Sequence, residues 1–320
     1  MKKTIRSILV LAVLSAGLIH TPAQELKGKK VFYINSYHTG YSWSDGIDHA
    51  IQSVLKPTGA EVKVYELDTY RQKTPEHLTQ ASAECKTIID DWKPDVVIVS
   101  DDAAMKGVYA PLFKDKDVPF VFCGVNWDAS GYGVPNKNIT GMLEVCPVKD
   151  LLAEMNKLKS GKTIGYLCSD ALSPKKDGEN LSKILGVQVE SVYAKDFASW
   201  KQGFQDLQTK AQLVLIGNNQ GIADWDETAA RAFAEENTKV VTGAWHDYLN
   251  GLALVSYNKL PSEQGEWAAN AAIQIIKGKS AGSIPQGANQ KGELVINARI
   301  AKKAGITPPF EMLQTAKVIE

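Results

Sequence analysis

Short polar side chains gather with aromatic rings at a series of positions, each just after a short β-branched or aromatic run. The first cluster is Asn35, Ser36, Tyr37 and His38, leading through Gly40 and Tyr41 to Trp43. Further clusters are Ser100, Asp101, Asp102 and Ala103, then Cys123, Asn126 and Trp127. Ser169 with Asp170, Asn218 with Asn219, and Trp245 with His246 and Asp247 follow. Hydroxyls and amides hydrogen-bond a polar head, while aromatic plates stack on an apolar or planar body, so this mixture suits reversible binding. Turn formation and helix capping are the competing roles for Asn35, Ser36, Ser169 and Asn218. For Trp127 and Trp245 the competing role is packing between two halves of the molecule. Asp101 and Asp102 can cap the next helix or receive an ammonium.

Catalysis would need a nucleophile beside a base, or two carboxyls flanking a substrate. Cys123 with His38, and Asp101 with Asp102, are the pairs that come nearest. No G-x-S-x-G elbow, Walker A loop, H-E-x-x-H or G-x-G-x-x-G stands in a supporting context. Binding is therefore preferred to catalysis, with no cofactor. The spacing of Cys85, Cys123, Cys146 and Cys168 fits no zinc pattern, so no metal is expected either. An even cysteine count permits disulfides in an oxidising compartment, and four cysteines allow three pairings. Cys85, inside a helical pattern, reads as a buried thiol.

The elements that must hold these clusters alternate strand and helix, the pattern of βαβ units on parallel sheets. Strands are expected at 31–35, 61–67, 95–100, 118–123 and 138–144, with helices at 45–55, 75–92 and 102–113 between them. The pattern restarts with strands at 163–168, 187–193, 213–217 and 239–242. Helices at 149–158, 174–185, 199–208 and 226–236 accompany these. A strand at 252–257, a helix at 262–277, a turn-rich 280–285, a strand at 293–296 and a helix at 298–303 complete the chain. The fold class is α/β, two doubly wound parallel-sheet lobes joined by about three crossovers. Residues 24–143 plus about 246–290 are assigned to the first lobe, and 144–245 plus about 291–320 to the second. In open parallel sheets, ligands bind beyond the carboxyl ends of the strands, so the clusters above converge on the cleft between the lobes.

The chain opens with Lys2, Lys3 and Arg6, followed by an uncharged apolar run at 8–19 and then Thr21 and Ala23. That is the pattern of a secretory signal peptide over residues 1–23, cleaved near Ala23. The run is shorter than the ~20 residues of a membrane span, and no later stretch is long and apolar enough to anchor the chain. Basic and acidic residues number 36 each, and loss of the leader's three basic residues leaves 33 against 36. That balance excludes nucleic acid and anionic membrane surfaces as partners. A small molecule remains, taken up by a monomer in the periplasm.

The stretch Val31-Phe-Tyr-Ile-Asn-Ser-Tyr-His-Thr-Gly-Tyr-Ser-Trp-Ser-Asp-Gly46 resembles the opening of the substrate-binding proteins of ABC transporters, the group that includes tryptophan and tyrosine uptake binders. The runs from Val97 to Ala104, Pro119 to Asn126 and Leu260 to Trp267 resemble later segments of the same family, so the similarity spans nearly the whole mature chain. It implies a type I periplasmic-binding-protein fold, a ligand between the lobes and an inner-membrane ABC permease as partner. The implied ligand loops are 35–37, 100–103, 123–127, 169–170 and 218–219. The amino-acid binders of the family tend to have small neutral residues after the third strand, where this chain has Asp101 and Asp102. Similar openings also occur in sensory domains, which makes a membrane sensor the alternative partner. No signalling module is expected before Glu320.

Overall fold

The computed structural model describes residues 25–320, so the leader expected at 1–23 and its cleavage site lie outside the described residues. Among the described residues no helix is long and apolar enough to cross a membrane.

Val31, Phe32, Tyr33 and Ile34 are fully buried in β1 (Lys30–Asn35), as a strand covered on both faces requires. It leads to α1 (Ser42–Leu55), β2 (Glu61–Glu66), α2 (Pro75–Trp92) and β3 (Val96–Ser100). Helix α2 starts where Thr74 accepts from the His77 amide and Pro75 stands first, and it stops at Lys93 in the left-handed region. The helix expected at 102–113 is instead α3 (Asp101–Ala104) running into a π-helical segment, Met105–Phe113. Pro111 lies inside that segment. It has no N–H to give, and in α geometry its ring would meet the carbonyl of Gly107, which the wider turn relieves.

β4 (Phe120–Asn126) and β5 (Ile139–Glu144) complete the main run of the first sheet. The second begins after α4 (Val148–Leu158) with β6 (Ile164–Ser169). α5 (Leu172–Leu185), β7 (Val189–Ala194), α6 (Phe197–Lys210), β8 (Leu213–Ile216), α7 (Glu227–Asn237) and β9 (Val241–Ala244) follow. The tail comprises β10 (Val255–Lys259), α8 (Pro261–Ile276), β11 (Gly287–Ala288), β12 (Gly292–Asn297), α9 (Ala298–Ala304), α10 (Phe310–Thr315) and β13 (Lys317–Ile319). The strand orders are β11-β5-β4-β3-β1-β2 and β13-β12-β10-β9-β8-β6-β7, parallel throughout except β10 against β12.

This pairing corrects one assignment made from sequence. β10 lies in the second sheet, whereas 246–290 was given whole to the first lobe; only α8 and β11 return there. Helix α8 packs along α1 because Ala268, Ala269, Ala271 and Ala272 are buried on its face and Gly265 meets Ile47 backbone. A Cβ at Gly265 would stand 2.4 Å from the Ile47 carbonyl oxygen. The chain therefore passes between the sheets three times: after Glu144, after Lys259 and after Ala288.

All four cysteines are free and buried. Burial pushes the Cys85 and Cys168 thiols up to about 12, and those of Cys123 and Cys146 well above the ordinary value. All four should resist a thiol reagent in the native protein and react on unfolding, and a reductant should leave the Tm unchanged. Two or more thiols missing from the titration of unfolded, unreduced protein would show a disulfide instead.

Candidate functional site

A cavity of about 470 Å³ lies where the strand ends of the two sheets face each other. From the first lobe come Tyr37, Tyr41, Ser42 and Trp43 after β1, Asp101 after β3, Asn126 at the end of β4 and Glu144 at the end of β5. From the second come Asp177 on α5, Asn218 and Gln220 after β8, His246, Asp247 and Tyr248 after β9, and Lys259 at the end of β10. This is the crevice that parallel sheets of this kind form beyond their carboxyl ends.

Asp101 is the most constrained residue in it. Its backbone sits at φ 66°, a left-handed conformation that a non-glycine residue adopts only when its surroundings impose it. Oδ1 accepts from the Trp43 indole at 2.9 Å, while Oδ2 is buried and has no hydrogen-bond partner among the described residues. Burial, with the charge of Glu144 behind it, pushes this carboxyl well above the usual range. Gly124 gives it room: the β4–β5 register shifts between Phe122 and Val125, and a Cβ on Gly124 would stand 2.7 Å from Oδ1.

Glu144 and Lys259 form a buried ion pair across the lobes, with side chains 10% and 6% exposed. Each sits at the last residue of a strand that enters a crossover. Burial draws the Lys259 ammonium down, but Glu144, with Cys146 and Asp177 behind it, outweighs burial and holds Lys259 above its ordinary value. The ammonium also lies 5.7 Å from the centre of the Trp43 ring. The crossovers are stitched further by Asn289, whose side chain exchanges hydrogen bonds with the Val145 amide (2.7 Å) and carbonyl (3.1 Å). Glu263 accepts from the Gln290 and Lys291 amides. A second bridge between lobes runs from the Trp127 indole to Asp177 Oδ1, at 2.7 Å.

Of the residues named in the sequence clusters, Tyr37, Tyr41, Trp43, Asp101, Asn126, Asn218, His246 and Asp247 line the cavity. Others support it from behind. Asn35 accepts from the Tyr37 amide and the Ser44 hydroxyl, and Ser36 bonds the Ser100 carbonyl and the Ala104 amide. The Ser100 hydroxyl pairs with Tyr33. Neither Asp101 nor Asp102 caps the helix with its side chain: Asp102 accepts from Asn126 and from the Tyr132 hydroxyl.

Several expectations are corrected. Cys123 is a fully buried core residue and Ala103 faces a different groove; Trp245 is buried against Tyr166 and walls only a small cavity, about 50 Å³, that adjoins the cleft at Trp43, His246 and Lys259. Ser169 and Asn219 are buried without lining the cavity, and Asp170 is engaged by Lys175 and Lys195. Their strands end at the cleft, but the pleat turns these side chains into the lobe or along its rim. Sequence reading passed over Glu144, Asp177, Gln220, Tyr248 and Lys259. Glu144 did end an expected strand and carried the same signal as Asn35; Lys259 lies two residues beyond the expected end of its strand. Asp177, on a helix, gave no signal.

A larger concavity, about 680 Å³, lies on the first lobe between α2 and the π-helical segment. Its walls mix Leu78, Ala83, Pro111 and Leu112 with hydroxyls and three lysines, and among its lining residues there is neither an aromatic ring nor a carboxylate.

Two α/β sheets with a triply crossed connection and a polar, aromatic cleft define a periplasmic-binding-protein fold of type I. The sequence matches the ABC transporter substrate binding protein family over residues 43–319, and the chain belongs to that family. Similar solved structures include an ABC domain in complex with L-Trp from Streptococcus pneumonia, at 19% identity and TM-score 0.64, covering 91% of this chain and 99% of that one. A ligand-free, open substrate binding protein with adhesive properties from Clostridium difficile aligns at 15% identity and TM-score 0.71, with the same coverage of 91% and 99%. An ABC transporter solute binding protein from a Bradyrhizobium species, with bound bis-tris, aligns at 16% identity and TM-score 0.56, covering 90% and 89%. At these identities the likeness carries the fold. Comparison with curated proteins gives no match.

Proposed function

We propose that this chain is the periplasmic solute-binding component of an ABC-type uptake system, secreted by a leader at residues 1–23. As a monomer it closes its lobes on a small polar or aromatic organic molecule and passes it to an inner-membrane permease. One observation carries the reading: the cavity is walled by strand ends of both lobes, so a ligand gains its full contacts only when they are together. The L-Trp held by the Streptococcus pneumonia neighbour is a solute of this general kind. Transport fits better than catalysis. Cys123 is buried with its thiol pushed up, the opposite of an activated nucleophile, and Asp102 is already engaged by Asn126 and Tyr132.

The test compares protein purified gently with protein stripped by unfolding and refolding. Native mass spectrometry of the first should show a bound small molecule of unaltered mass. Small-angle scattering should give a larger radius of gyration for the stripped form, and adding the recovered molecule should reverse it. Identical profiles with and without it would sink the hinge, and turnover of the molecule would sink the transport reading.

A further inference from the structure

We infer that the cleft takes an organic cation, an amine without a carboxylate, whose ammonium pairs with Asp101. This deepens the reading of the cleft as the binding site and rests on it. Among the described residues Asp101, Glu144, Asp177 and Asp247 bring four carboxyl groups to the cavity wall, and Lys259 brings the one ammonium. That ammonium is bonded to Glu144 and sits over Trp43. His246 adds no charge, because burial, with Lys259 next, holds its imidazole well below the ordinary value. A ligand carboxylate would meet neutral donors such as the side-chain amides of Asn126, Asn218 and Gln220, but among the described residues no cation free of a carboxylate partner to set against those acids.

Asp101 supplies the independent sign of a partner. The residue is 2% exposed, one carboxyl oxygen is held by Trp43, and the other is buried without a partner among the described residues. A buried carboxyl with half its acceptor capacity unused is unfavourable, and an ammonium meets both needs, donors and charge. Its strained backbone places that carboxyl at the cavity at an energetic cost, which marks a functional position. Tyr37, Tyr41, Trp43 and Tyr248 line the same space, and ring faces favour a cation while stacking on an apolar body. The volume suits an amine carrying one or two rings.

The test titrates ligand-stripped protein by calorimetry with matched probes: tryptamine against indolepropionate, and tyramine against hydroxyphenylpropionate, with L-tryptophan and L-tyrosine as zwitterions. At least one amine should bind, about 10-fold or more tighter than its zwitterion, and the acids should not bind. Asp101→Asn keeps the Trp43 bond and tolerates the left-handed backbone, so it should fold with an unchanged or higher Tm. It should weaken amine binding by about 10- to 100-fold, the worth of a charge-assisted hydrogen bond. An acid or zwitterion binding as tightly as its amine, no amine binding at all, or Asp101→Asn binding amines as before would each overturn the inference. Gln220→Trp, an exposed change that fills the cavity, separates the two levels. A zwitterion that binds the parent protein and not this variant leaves the cleft standing and the amine wrong. An amine that binds both alike puts the site elsewhere.

Discussion

Lys259→Ala should lower stability by about 3–5 kcal/mol, because it leaves the Glu144 carboxylate buried with no counter-ion. Few surface or loop changes approach that size. The pair is 10% and 6% exposed, so solvent screens it little, and it joins the ends of β5 and β10 where two of the three crossovers begin. Glu144→Gln with Lys259→Met should recover most of the loss, since removing both charges removes the penalty of leaving one behind. The pH dependence follows from the direction of the shift. Lys259 is raised in the folded protein, so its contribution is complete below the unfolded lysine value of about 10.4 and fades only as pH rises through the folded one. In the parent protein the Lys259 contribution should thus be equal at pH 6 and pH 8. Urea unfolding followed by tryptophan fluorescence reads it, with constant m-values as the check on two-state behaviour. A loss below about 1 kcal/mol would mean that water reaches Glu144 and that the crossovers are looser than the structure shows.

The lobes were legible because a strand buried on both faces leaves a continuous apolar run, as in Val96 to Val99, and helix α2 announces both ends through Thr74, Pro75 and Lys93. What failed to show was which sheet a strand joins. The strand expected at 252–257 overlaps the observed 255–259, but its pairing with β9 and β12 is a long-range choice that no local pattern encodes. The β-strand at 317–319 and the helix at 310–315 were missed because both are short, and Phe310 and Val318 are exposed, so neither segment has a clear apolar face. At the site, strand ends pointed to the right loops and only partly to the right residues. A strand's two faces alternate, so one loop delivers Asp101 to the cavity and buries Ser100 behind it. Lys259 and Asp177 matter through partners 115 and 50 positions away, Glu144 and Trp127, which spacing cannot reveal.

Gly124→Ala is the change at the cleft that should couple stability and binding most tightly. Gly124 has φ 68°, where a side chain costs an L-residue about 1–2 kcal/mol. The new Cβ would stand 2.7 Å from Asp101 Oδ1 and 3.3 Å from its Cγ. Neither neighbour can step aside freely. Oδ1 holds the Trp43 indole, and the Gly124 amide donates at 2.9 Å to Gln264, whose own side-chain amide donates to the Leu143 carbonyl. Overpacking of this sort adds about 1–3 kcal/mol, so the total loss should be about 2–5 kcal/mol. Relief must come from the Asp101 carboxyl moving, which takes Trp43 with it and disorganises the cavity wall. Affinity for whichever amine binds should therefore fall at least as far as in Asp101→Asn, although no group that touches the ligand has been removed. Gly131→Ala is the control: no atom lies within 4 Å of its added Cβ and its φ is not in the left-handed region, so stability and affinity should stay near the parent values. Thermal unfolding and calorimetric titration on the same samples decide the matter. A Gly124→Ala protein that melts lower yet binds as before would show that Gly124 serves the β4 bulge alone, and that Asp101 does not depend on it for its place in the cleft.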